Sequence, residues 1–413
     1  MRSQSRGLWR HQDFLKLWGA QTTSILGTQL ASLAYSLTAV LTLQATPVQI
    51  GMLNAVASAS AALVGLFAGV IVDRMGRRPL LIGTDLGRAL LAATIPIAFA
   101  LGVLHIGQLY IVRFLFGGLS ILSEVAHMAF LPSLVEREQL LEGNSKLSAT
   151  ESMASIAGPS LSGALVQLVT APIAILVDVV SFIFSAFFIW LISTPEPELQ
   201  QTVERRGVKS EIREGLHFVF SNPILRPLSQ GIALHFLFML IISTIFILYA
   251  VRELHIEPLL LGIILAAFGP GFLLGALVAG PVARRYGVGR VMIGATLLNA
   301  LAVSLIPLAG GSLRVIVSML IAAHFILALG IQAHGINLMS LRQAITPYRL
   351  QGRMNASFRV INVCAMMIGA LLAGLLGEAI GLRLTLVVGA CGMFLPFVRL
   401  LFSQVRNLKE QPG

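Results

Sequence analysis

The sequence predicts an all-α integral membrane protein with twelve transmembrane helices in two parallel six-helix bundles. Of its 413 residues, 56% are hydrophobic and only 11% are charged, whereas charged residues make up about a quarter of an ordinary soluble domain. Twelve apolar stretches have roughly the 20 residues that a helix needs to cross a bilayer. Basic residues collect on alternate connections between them, which is typical of a chain that crosses a membrane repeatedly.

The basic residues also predict the orientation of the chain. Most of the 29 Lys and Arg residues fall on connections of one side, and positive charge marks the cytoplasmic side of a membrane protein. The exceptions are Arg252, Arg314 and Arg383 on the other side, and Arg113, Arg359 and Arg399 within apolar stretches. An even number of crossings then predicts a multi-pass protein of the cell (inner) membrane with both termini in the cytoplasm. Because the cations are spread over short loops, we expect no nucleic-acid partner.

The predicted crossings follow one another through short connections, with one exception. They lie at about residues 17–43, 50–72, 79–101, 107–130, 145–168, 172–193, 228–250, 258–283, 289–309, 314–339, 354–378 and 384–404. The long connection divides the chain into an N-terminal six-helix bundle (1–193), a cytoplasmic linker (194–227) and a C-terminal six-helix bundle (228–413). In the linker, Ile212, Leu216, Val219 and Phe220 recur at helical spacing. This pattern predicts an amphipathic helix lying in the membrane interface, and a plain solvated linker is the alternative.

The two halves of the chain repeat one loop motif. Three residues after the second helix recur 211 positions later, after the eighth: Gly69 as Gly280, Arg74 as Arg285 and Gly76 as Gly287. Secondary transporters are often built from such repeats, and they bind their substrate between the halves near the bilayer midplane. The sequence therefore predicts a duplicated six-helix unit.

The loop Gly69–Arg78 is the most specific motif in the chain. We expect Gly69 to allow close helix approach and Gly76 to permit a tight turn. Asp73 lies among arginines, and an acid is favoured near the positive amino-terminal end of a helix, here the eleventh, near Arg353–Asn355. Such a latch would hold the two halves together, whereas a turn with only topogenic charges is the alternative. The predicted latch residues are Gly69, Asp73, Arg74, Gly76, Arg77, Arg78 and Glu136, with Glu136 as the partner of Arg77.

This loop, Gly69-x-x-x-Asp73-Arg74-x-Gly76-Arg77-Arg78, resembles the signature of the major facilitator superfamily. The stretches 113–118, 158–163 and 213–226 resemble its drug/proton antiporter branch, which contains macrolide and siderophore exporters. The resemblance implies the facilitator fold and the export of amphipathic compounds, often in exchange for protons. The chain departs from the branch at Gly27-Thr28, where an acid often follows the glycine, and it lacks the usual glycine upstream of Gly158.

Charged side chains in the fourth helix are candidates for proton coupling. Arg113, Gly117, Ser120, Glu124 and His127 recur at steps of four and three and therefore share one face. Ionisable groups inside a span are costly, and they usually face a water-filled cavity or each other. We predict Glu124 as the first proton-carrying acid, with Arg113 and His127 on the same face. A structural acid paired with a loop arginine is the alternative.

Asp178 and Asp85 are further acids within the predicted helices. Asp178 in the sixth helix is a candidate for proton transfer, although a packing or helix-end role is favoured there, because acids are stabilised near helix amino-terminal ends. Asp85 lies close to Arg88 and to the loop after the second helix. We therefore expect Asp85 to belong to the cytoplasmic charge cluster.

A neutral polar stripe in the first helix is the candidate substrate surface. Gln21, Ser24, Thr28, Ser32 and Tyr35 recur at helical spacing. In the facilitator resemblance, helices 1, 4, 7 and 10 line the central cavity, which adds Gln230, His235 and His324. Packing roles are the alternative, since small polar residues join membrane helices and lone histidines are often hydrogen-bonded packing residues. A cavity with few fixed charges suits a large, mostly apolar substrate.

Glycine and proline residues mark two helices for close packing. They are Gly158, Pro159 and Gly163 in the fifth helix, and Gly269, Pro270 and Gly271 in the eighth. Gating at a proline kink is the alternative interpretation. Cys364 and Cys391 sit singly in apolar stretches without metal-ligand spacing, so we expect two small buried side chains.

The sequence therefore predicts a secondary active transporter that exports an amphipathic small molecule, drug-like or siderophore-like, by proton antiport through alternating access. A lysophospholipid or lipid translocator and a facilitated-diffusion importer are the alternatives on the same scaffold. The sequence contains neither His-Glu-x-x-His nor a phosphate-binding Gly-x-x-x-x-Gly-Lys motif, so we expect no enzyme and no direct use of ATP. We expect no cofactor and no metal. The expected partners are the small-molecule substrate, the proton and the bilayer, with the protein as a monomer.

Overall fold

The computed structural model describes residues 8–194 and 208–408, without the side chains of Leu66, Val70, Asp73 and residues 208–212. All regular elements in these ranges are helices. Twelve helical segments within them are long and apolar enough to cross a membrane. The predicted all-α, twelve-helix fold class is confirmed.

The first six crossings are formed by seven helices. They are α1 (Gln12–Leu37), α2 (Pro47–Arg74), α3 (Arg77–Ala100), α4 (Ile106–Leu134), α5 (Leu140–Val169), α6 (Ala171–Ala174) and α7 (Leu176–Trp190). The short α6 and α7 together make the sixth crossing. Between α5 and α6 the chain reverses at Thr170, whose φ of 82° is a region that β-branched residues rarely adopt.

The remaining elements are an amphipathic helix and six more crossings. They are α8 (Val208–Ser221), α9 (Leu225–Arg252), α10 (Pro258–Ala266), α11 (Phe268–Tyr286), α12 (Val288–Leu308), α13 (Leu313–Ile345), α14 (Gln351–Ile380), α15 (Leu382–Gly392) and α16 (Phe394–Leu401). The eighth crossing combines α10 with α11, and the twelfth combines α15 with α16. Several helices begin before the predicted apolar stretch, because polar residues such as Glu142 and Asn144 of α5 extend the helix past it.

The chain forms two compact units. The first unit comprises Met1–Ala45 and Val56–Val203, and the second comprises Thr46–Ala55 and Glu204–Gly413. Within the second unit, the Asn54 amide donates to the Thr244 hydroxyl at 3.1 Å. A Cβ built on Gly51 would lie 2.6 Å from the backbone oxygen of Ala370. The first turns of α2 therefore pack directly on α14.

The amphipathic helix of the linker packs on protein. Gly215 of α8 is buried so closely against α14 that an added Cβ would overlap the backbone oxygen of Arg353. Val219 is fully buried in a cluster with Leu225, Met354 and Phe358, while Phe220 is exposed. A helix is present over the described part of the predicted segment, and its place in the membrane interface stays a prediction. Helical periodicity groups residues on a face without showing which neighbour covers that face.

The glycines of the fifth and eighth crossings lie at close helix contacts. Gly158 is buried, and a Cβ there would lie 2.6 Å from Cβ of Gln29 in α1. Gly163 is also buried within α5. A Cβ on Gly271 would overlap the backbone oxygen of Phe325 in α13. These contacts agree with the packing interpretation.

The two predicted prolines differ in position. Pro159 lies inside α5. Pro270, with Gly269 before it, follows the break at Ala267 between α10 and α11. In the first turn of a helix the missing N–H of proline needs no intrahelical acceptor. Pro270 thus lies in the first turn of α11, where it does not interrupt the helix.

Three expectations about small residues are wrong. No heavy atom of the described chain lies within 4 Å of a Cβ built on Gly69, so Gly69 does not mark a close approach. Gly76 caps the start of α3 with φ −56°, which any residue adopts; its repeat partner Gly287 has φ +88°. Cys364 and Cys391 are both exposed side chains of the polypeptide. Composition identified these residues as small, but their surroundings depend on helix rotation.

Candidate functional site

A fully buried acid lies in the first unit between α1 and α7. Asp178 in the first turn of α7 has no solvent exposure. The Tyr35 hydroxyl donates to its Oδ2 at 2.9 Å, and the Thr28 hydroxyl donates to its Oδ1 at 3.1 Å. Within the described residues, no cationic nitrogen lies within 4 Å of the carboxylate. Two hydroxyl groups of α1 therefore hold the Asp178 carboxyl.

The close approach of α1 and α7 makes these hydrogen bonds possible. Gly27 precedes Thr28, and a Cβ at Gly27 would overlap the Ser181 side chain one turn after Asp178. Ser181 in turn donates to the backbone oxygen of Asp178 at 2.8 Å. The Gly27-Thr28 pair, where the resembled branch often carries an acid after the glycine, thus binds an acid supplied by α7.

A buried ion pair lies in the same unit. Asp85 and Arg88 of α3 form a salt bridge and are only 0% and 7% exposed. Arg88 also donates to the Ser123 hydroxyl of α4 at 3.0 Å, and its guanidinium lies 4.2 Å from the ring centre of Phe182 in α7. The prediction that Asp85 belongs to a cytoplasmic charge cluster is therefore wrong. The pair joins three helices inside the bundle.

Sequence analysis missed this pair although it carried a signal. Opposite charges at i and i+3 within an apolar stretch place both groups on one face of the helix. They can therefore neutralise each other inside a span, where an unpaired charge is costly. Because Asp85 and Arg88 are close in sequence to the loop Gly69–Arg78, we assigned Asp85 to the cytoplasmic charges and did not consider an ion pair inside the span. Asp85 Oδ2 and Arg88 Nε have no hydrogen-bond partner within the described ranges.

Arg113 of α4 lies beside the group that holds Asp178. Its guanidinium lies 5.7 Å from the ring centre of Tyr35, the same tyrosine that donates to Asp178. A cation over an aromatic face is attracted by the negative face of the ring. Arg113 Nε is buried without a hydrogen-bond partner in the described parts of the chain. Arg113, Tyr35 and Asp178 therefore form one continuous polar chain from α4 through α1 to α7.

The other residues of the predicted α4 face lie in different surroundings. Gly117 faces α2, where a Cβ would lie 3.2 Å from the Ser60 hydroxyl. Glu124 is exposed and forms no ion pair with a described residue. The Nδ1 atom of His127 is buried, and no described group hydrogen-bonds to it. The structure thus brings Arg113 to Tyr35, the donor to Asp178, and leaves Glu124 as an exposed acid apart from this group.

The neutral stripe of α1 does not form one open surface. Tyr35 is 6% exposed and Ser24 is 8% exposed, while Thr28 and Tyr35 are committed to Asp178. Gln21 is half-buried and Ser32 is exposed. The prediction of a substrate surface is therefore wrong for Ser24 and Tyr35. A shared helical face does not determine whether a neighbouring helix covers it.

The candidate substrate residues of the second unit also include buried members. Gln230 Oε1 accepts from Arg399 Nε at 2.8 Å. His324 is 7% exposed, its Nδ1 lies 2.8 Å from the Leu320 backbone oxygen, and its ring lies 4.7 Å from that of Phe246. His235 is half-buried. His324 matches the packing alternative, whereas His235 stays a candidate.

The predicted latch lies partly outside the described residues. The Asp73 side chain is one of those not described. Arg74 ends α2 and is exposed, Arg78 donates to the backbone oxygen of Trp190, and Glu136 is exposed. The pairing of Arg77 with Glu136 and the contact of Asp73 with α14 stay predictions.

The start of α14, where the latch is predicted to act, is bound by another acid. Glu214 of α8 forms a salt bridge with Arg353 and lies 3.8 Å from Arg349. The Asn355 side chain accepts from Arg342 of α13. Within the second unit, α8 therefore neutralises the cations at this helix end.

Comparison with known proteins identifies similar chains. The family model described as "Transmembrane secretion effector", a model of major facilitator proteins, matches residues 6–412. The chain is 26% identical to the MFS-type transporter YfiS of Bacillus subtilis, over 98% of this chain and 95% of the relative. It is 25% identical to the enterobactin exporter EntS of Citrobacter koseri, over 89% of both chains. It is 27% identical to the multidrug efflux pump Tap of Mycolicibacterium fortuitum, over 81% and 84%.

Solved structures share the fold at lower identity. A bacterial homologue of the iron transporter ferroportin in an inward-facing state superposes with a TM-score of 0.75 at 18% identity, covering 96% of this chain and 99% of that one. The nucleoside transporter NupG superposes with a TM-score of 0.75 at 11% identity, covering 95% and 98%. At these identities the likeness concerns the fold alone.

Proposed function

Because this chain belongs to the transmembrane secretion effector family of the major facilitator superfamily, we propose that it exports an amphipathic small molecule by proton antiport. Its similarity to a siderophore exporter and to a multidrug efflux pump supports export. Alternating access of two six-helix units around a midplane site is the mechanism that such repeated folds use. The excess of basic residues on one set of connections supports cytoplasmic termini and insertion into the cell membrane.

The buried carboxyl of Asp178 is the observation that supports the proposal of proton coupling. A hydroxyl group can donate to an ionised carboxylate and accept from a protonated carboxyl. Tyr35 and Thr28 can therefore hold Asp178 in either protonation state. Loss of the negative charge would weaken the hydrogen bond from Tyr35 to this acid and, through Tyr35, affect the contact with Arg113 of α4. Protonation is thus linked to the packing of α1, α4 and α7.

Glu124 has a different role in this proposal. It is an exposed acid on a membrane-spanning helix, and an acid in such a position faces water or a polar cavity. It can exchange protons with water where Asp178 cannot. We assign Glu124 to proton entry or release, and Asp178 to the step that changes helix packing.

Reconstituted vesicles test this assignment. The variants Asp178→Asn and Glu124→Gln remove one titratable proton each without changing side-chain size. Efflux of a macrolide or a catecholate siderophore is measured with and without a pH gradient and with an uncoupler. We expect Asp178→Asn to abolish gradient-driven efflux while binding of the compound persists, and Glu124→Gln to slow efflux at least tenfold.

The controls separate coupling from folding. Glu151→Gln changes an exposed acid of α5 and should leave gradient-driven efflux at the wild-type rate. If neither the pH gradient nor the uncoupler changes the efflux rate of the wild type, transport is facilitated diffusion and the antiport proposal is refuted. Unchanged coupling in Asp178→Asn would remove Asp178 from the mechanism.

A further inference from the structure

A groove on the second unit lies apart from the candidate site. It is formed by α11, α12 and α13 and has a volume of about 420 Å³. Its floor consists of small side chains, because Ala279, Ala295 and Ala333, one from each helix, pack together there. A Cβ built on Gly294 in its wall would meet no atom within 4 Å. Small residues leave a furrow that the helices themselves do not fill.

One end of this groove is cationic. Arg290 and Tyr286 line it there, and Arg284 and Arg285 end α11 beside it. All four side chains are exposed, and the Arg285 guanidinium lies 5.4 Å from the ring centre of Tyr286. The basic end therefore presents the guanidinium groups of Arg290, which lines the groove, and of Arg285, which contacts Tyr286.

The arginines at this end have no acidic partner among the described residues. No carboxylate of the described ranges lies within 4 Å of Arg284, Arg285 or Arg290. The sequence has no Asp or Glu between Glu257 and Glu378. Glu214, which lies in the same unit, is paired with Arg353. Within the described residues, the arginines at this end are therefore available to an anion from outside the chain.

The length of the groove fits a lipid. From Arg290 to Leu298, which also lines it, α12 advances eight residues, or about 12 Å. Half of the hydrocarbon core of a bilayer is about 15 Å thick. An acyl chain that lies along this furrow would thus place its headgroup at the level of Arg290. Guanidinium groups bind phosphate oxygens through paired hydrogen bonds.

We propose that this groove binds an anionic phospholipid of the leaflet on the side of the basic connections. One acyl chain lies over Ala279, Ala295 and Ala333, and the headgroup phosphate contacts Arg290 and Arg285. A free phosphate ion would use the arginines but not the furrow. A second copy of the chain would have to fill the groove with apolar side chains and also place an acid beside Arg290. The charge and the shape together favour the lipid.

Native mass spectrometry of the full-length protein in detergent tests the proposal. Delipidated protein is titrated with phosphatidylglycerol and with phosphatidylcholine of identical acyl chains. We expect the wild type to bind phosphatidylglycerol at least tenfold more tightly. Arg290→Gln should weaken only phosphatidylglycerol binding, by about fivefold, since each cation near an anionic surface contributes about that factor. Gly294→Leu should fill the furrow and weaken binding of both lipids.

Matched variants provide the controls. Arg314→Gln removes an exposed arginine outside the groove, and Gly83→Leu adds the same side chain where a Cβ meets open space in α3. Both should bind as the wild type does. Equal affinity of the wild type for the two lipids, or equal losses in Arg290→Gln and Arg314→Gln, would overturn the proposal. Full displacement of the lipid by inorganic phosphate, or a dimer that Gly294→Leu disrupts in the absence of lipid, would also overturn it.

Discussion

Tyr35 contacts both Asp178 and Arg113 in the first unit. Its hydroxyl donates to Asp178, and its ring lies under Arg113. A buried acid that loses a donor carries an uncompensated polar group, which costs about 1–3 kcal/mol. Tyr35 therefore contributes to stability through Asp178 and connects that acid to the cation of α4.

Replacement of Tyr35 by Phe separates these contributions. Tyr35→Phe keeps the ring under Arg113 but removes the donor to Asp178. We expect the free energy of unfolding to fall by about 1–3 kcal/mol, and the pH profile of efflux to shift relative to the wild type. Thermal unfolding in detergent and efflux rates across pH measure the two effects. Tyr348→Phe, at a 92% exposed tyrosine, is the control, and an unshifted pH profile in Tyr35→Phe would contradict the link to coupling.

The Asp85–Arg88 pair makes a second prediction at the residue scale. Removal of one partner of a buried ion pair leaves the other charge buried, at a cost of about 3–5 kcal/mol. We expect Arg88→Ala to lower the free energy of unfolding by this amount. Lys146→Ala breaks the partly exposed Glu142–Lys146 pair and should cost at most about 1 kcal/mol. Equal destabilisation of the two variants would show that the Asp85–Arg88 pair is not desolvated.

At the scale of the helices, glycines set the distances on which the polar contacts depend. Gly27 brings α1 against Ser181 of α7, and Gly158 brings α5 against Gln29 of α1. Small residues at such positions let membrane helices approach closely. Gly215 likewise allows α8 to pack closely on α14. The helix pairs are thus fixed by single residues without a Cβ.

Gly27 offers a test of this dependence. We expect Gly27→Ala to push α1 away from α7, because its Cβ would overlap the Ser181 side chain, and to weaken the hydrogen bonds to Asp178. Thermal stability and gradient-driven efflux should both fall. The second substitution Ser181→Gly in the same protein should restore them. Gly83→Ala adds a methyl group in open space and should change neither property; a double variant without any recovery would disprove the steric explanation.

At the scale of the whole molecule, the loop Gly69–Arg78 remains the predicted latch. The repeat of its glycines and arginine after the eighth crossing indicates that each half carries such a loop. Glu214 already neutralises Arg353 at the start of α14. An acid from the other half would therefore act through the helix end and would not need a free arginine.

Asp73→Asn tests the latch without loss of volume. We expect this variant to slow turnover about tenfold while the affinity for the exported compound changes less than twofold. Efflux rates in vesicles and equilibrium binding of the same compound measure the two quantities. Glu138→Gln, at an exposed acid of the loop before α5, should leave both at wild-type values. If Asp73→Asn turns over as fast as the wild type, the prediction of a latch is wrong.

The sequence by itself determined the membrane class and the twelve crossings. The prediction of each crossing rests on the apolar length and charge placement of many residues. It therefore holds even where the predicted helix ends are wrong, as at α1 and α5. The sequence also identified Asp178, Tyr35 and Thr28 as notable residues, but assigned the last two to a substrate surface. Helical periodicity shows which residues share a face of a helix, but it does not show which neighbouring helix, if any, packs against that face.

Only the tertiary structure decided which side chains meet. The contacts of Tyr35 and Thr28 with Asp178 join positions 143 and 150 residues apart, and the burial of Asp85 with Arg88 depends on how α3 is rotated against α4 and α7. The furrow beside Arg290 likewise exists because small residues of α11, α12 and α13 coincide in space. Such pairings depend on helix rotation and on sub-ångström differences in approach. Neither quantity is encoded in the spacing of residues along one helix.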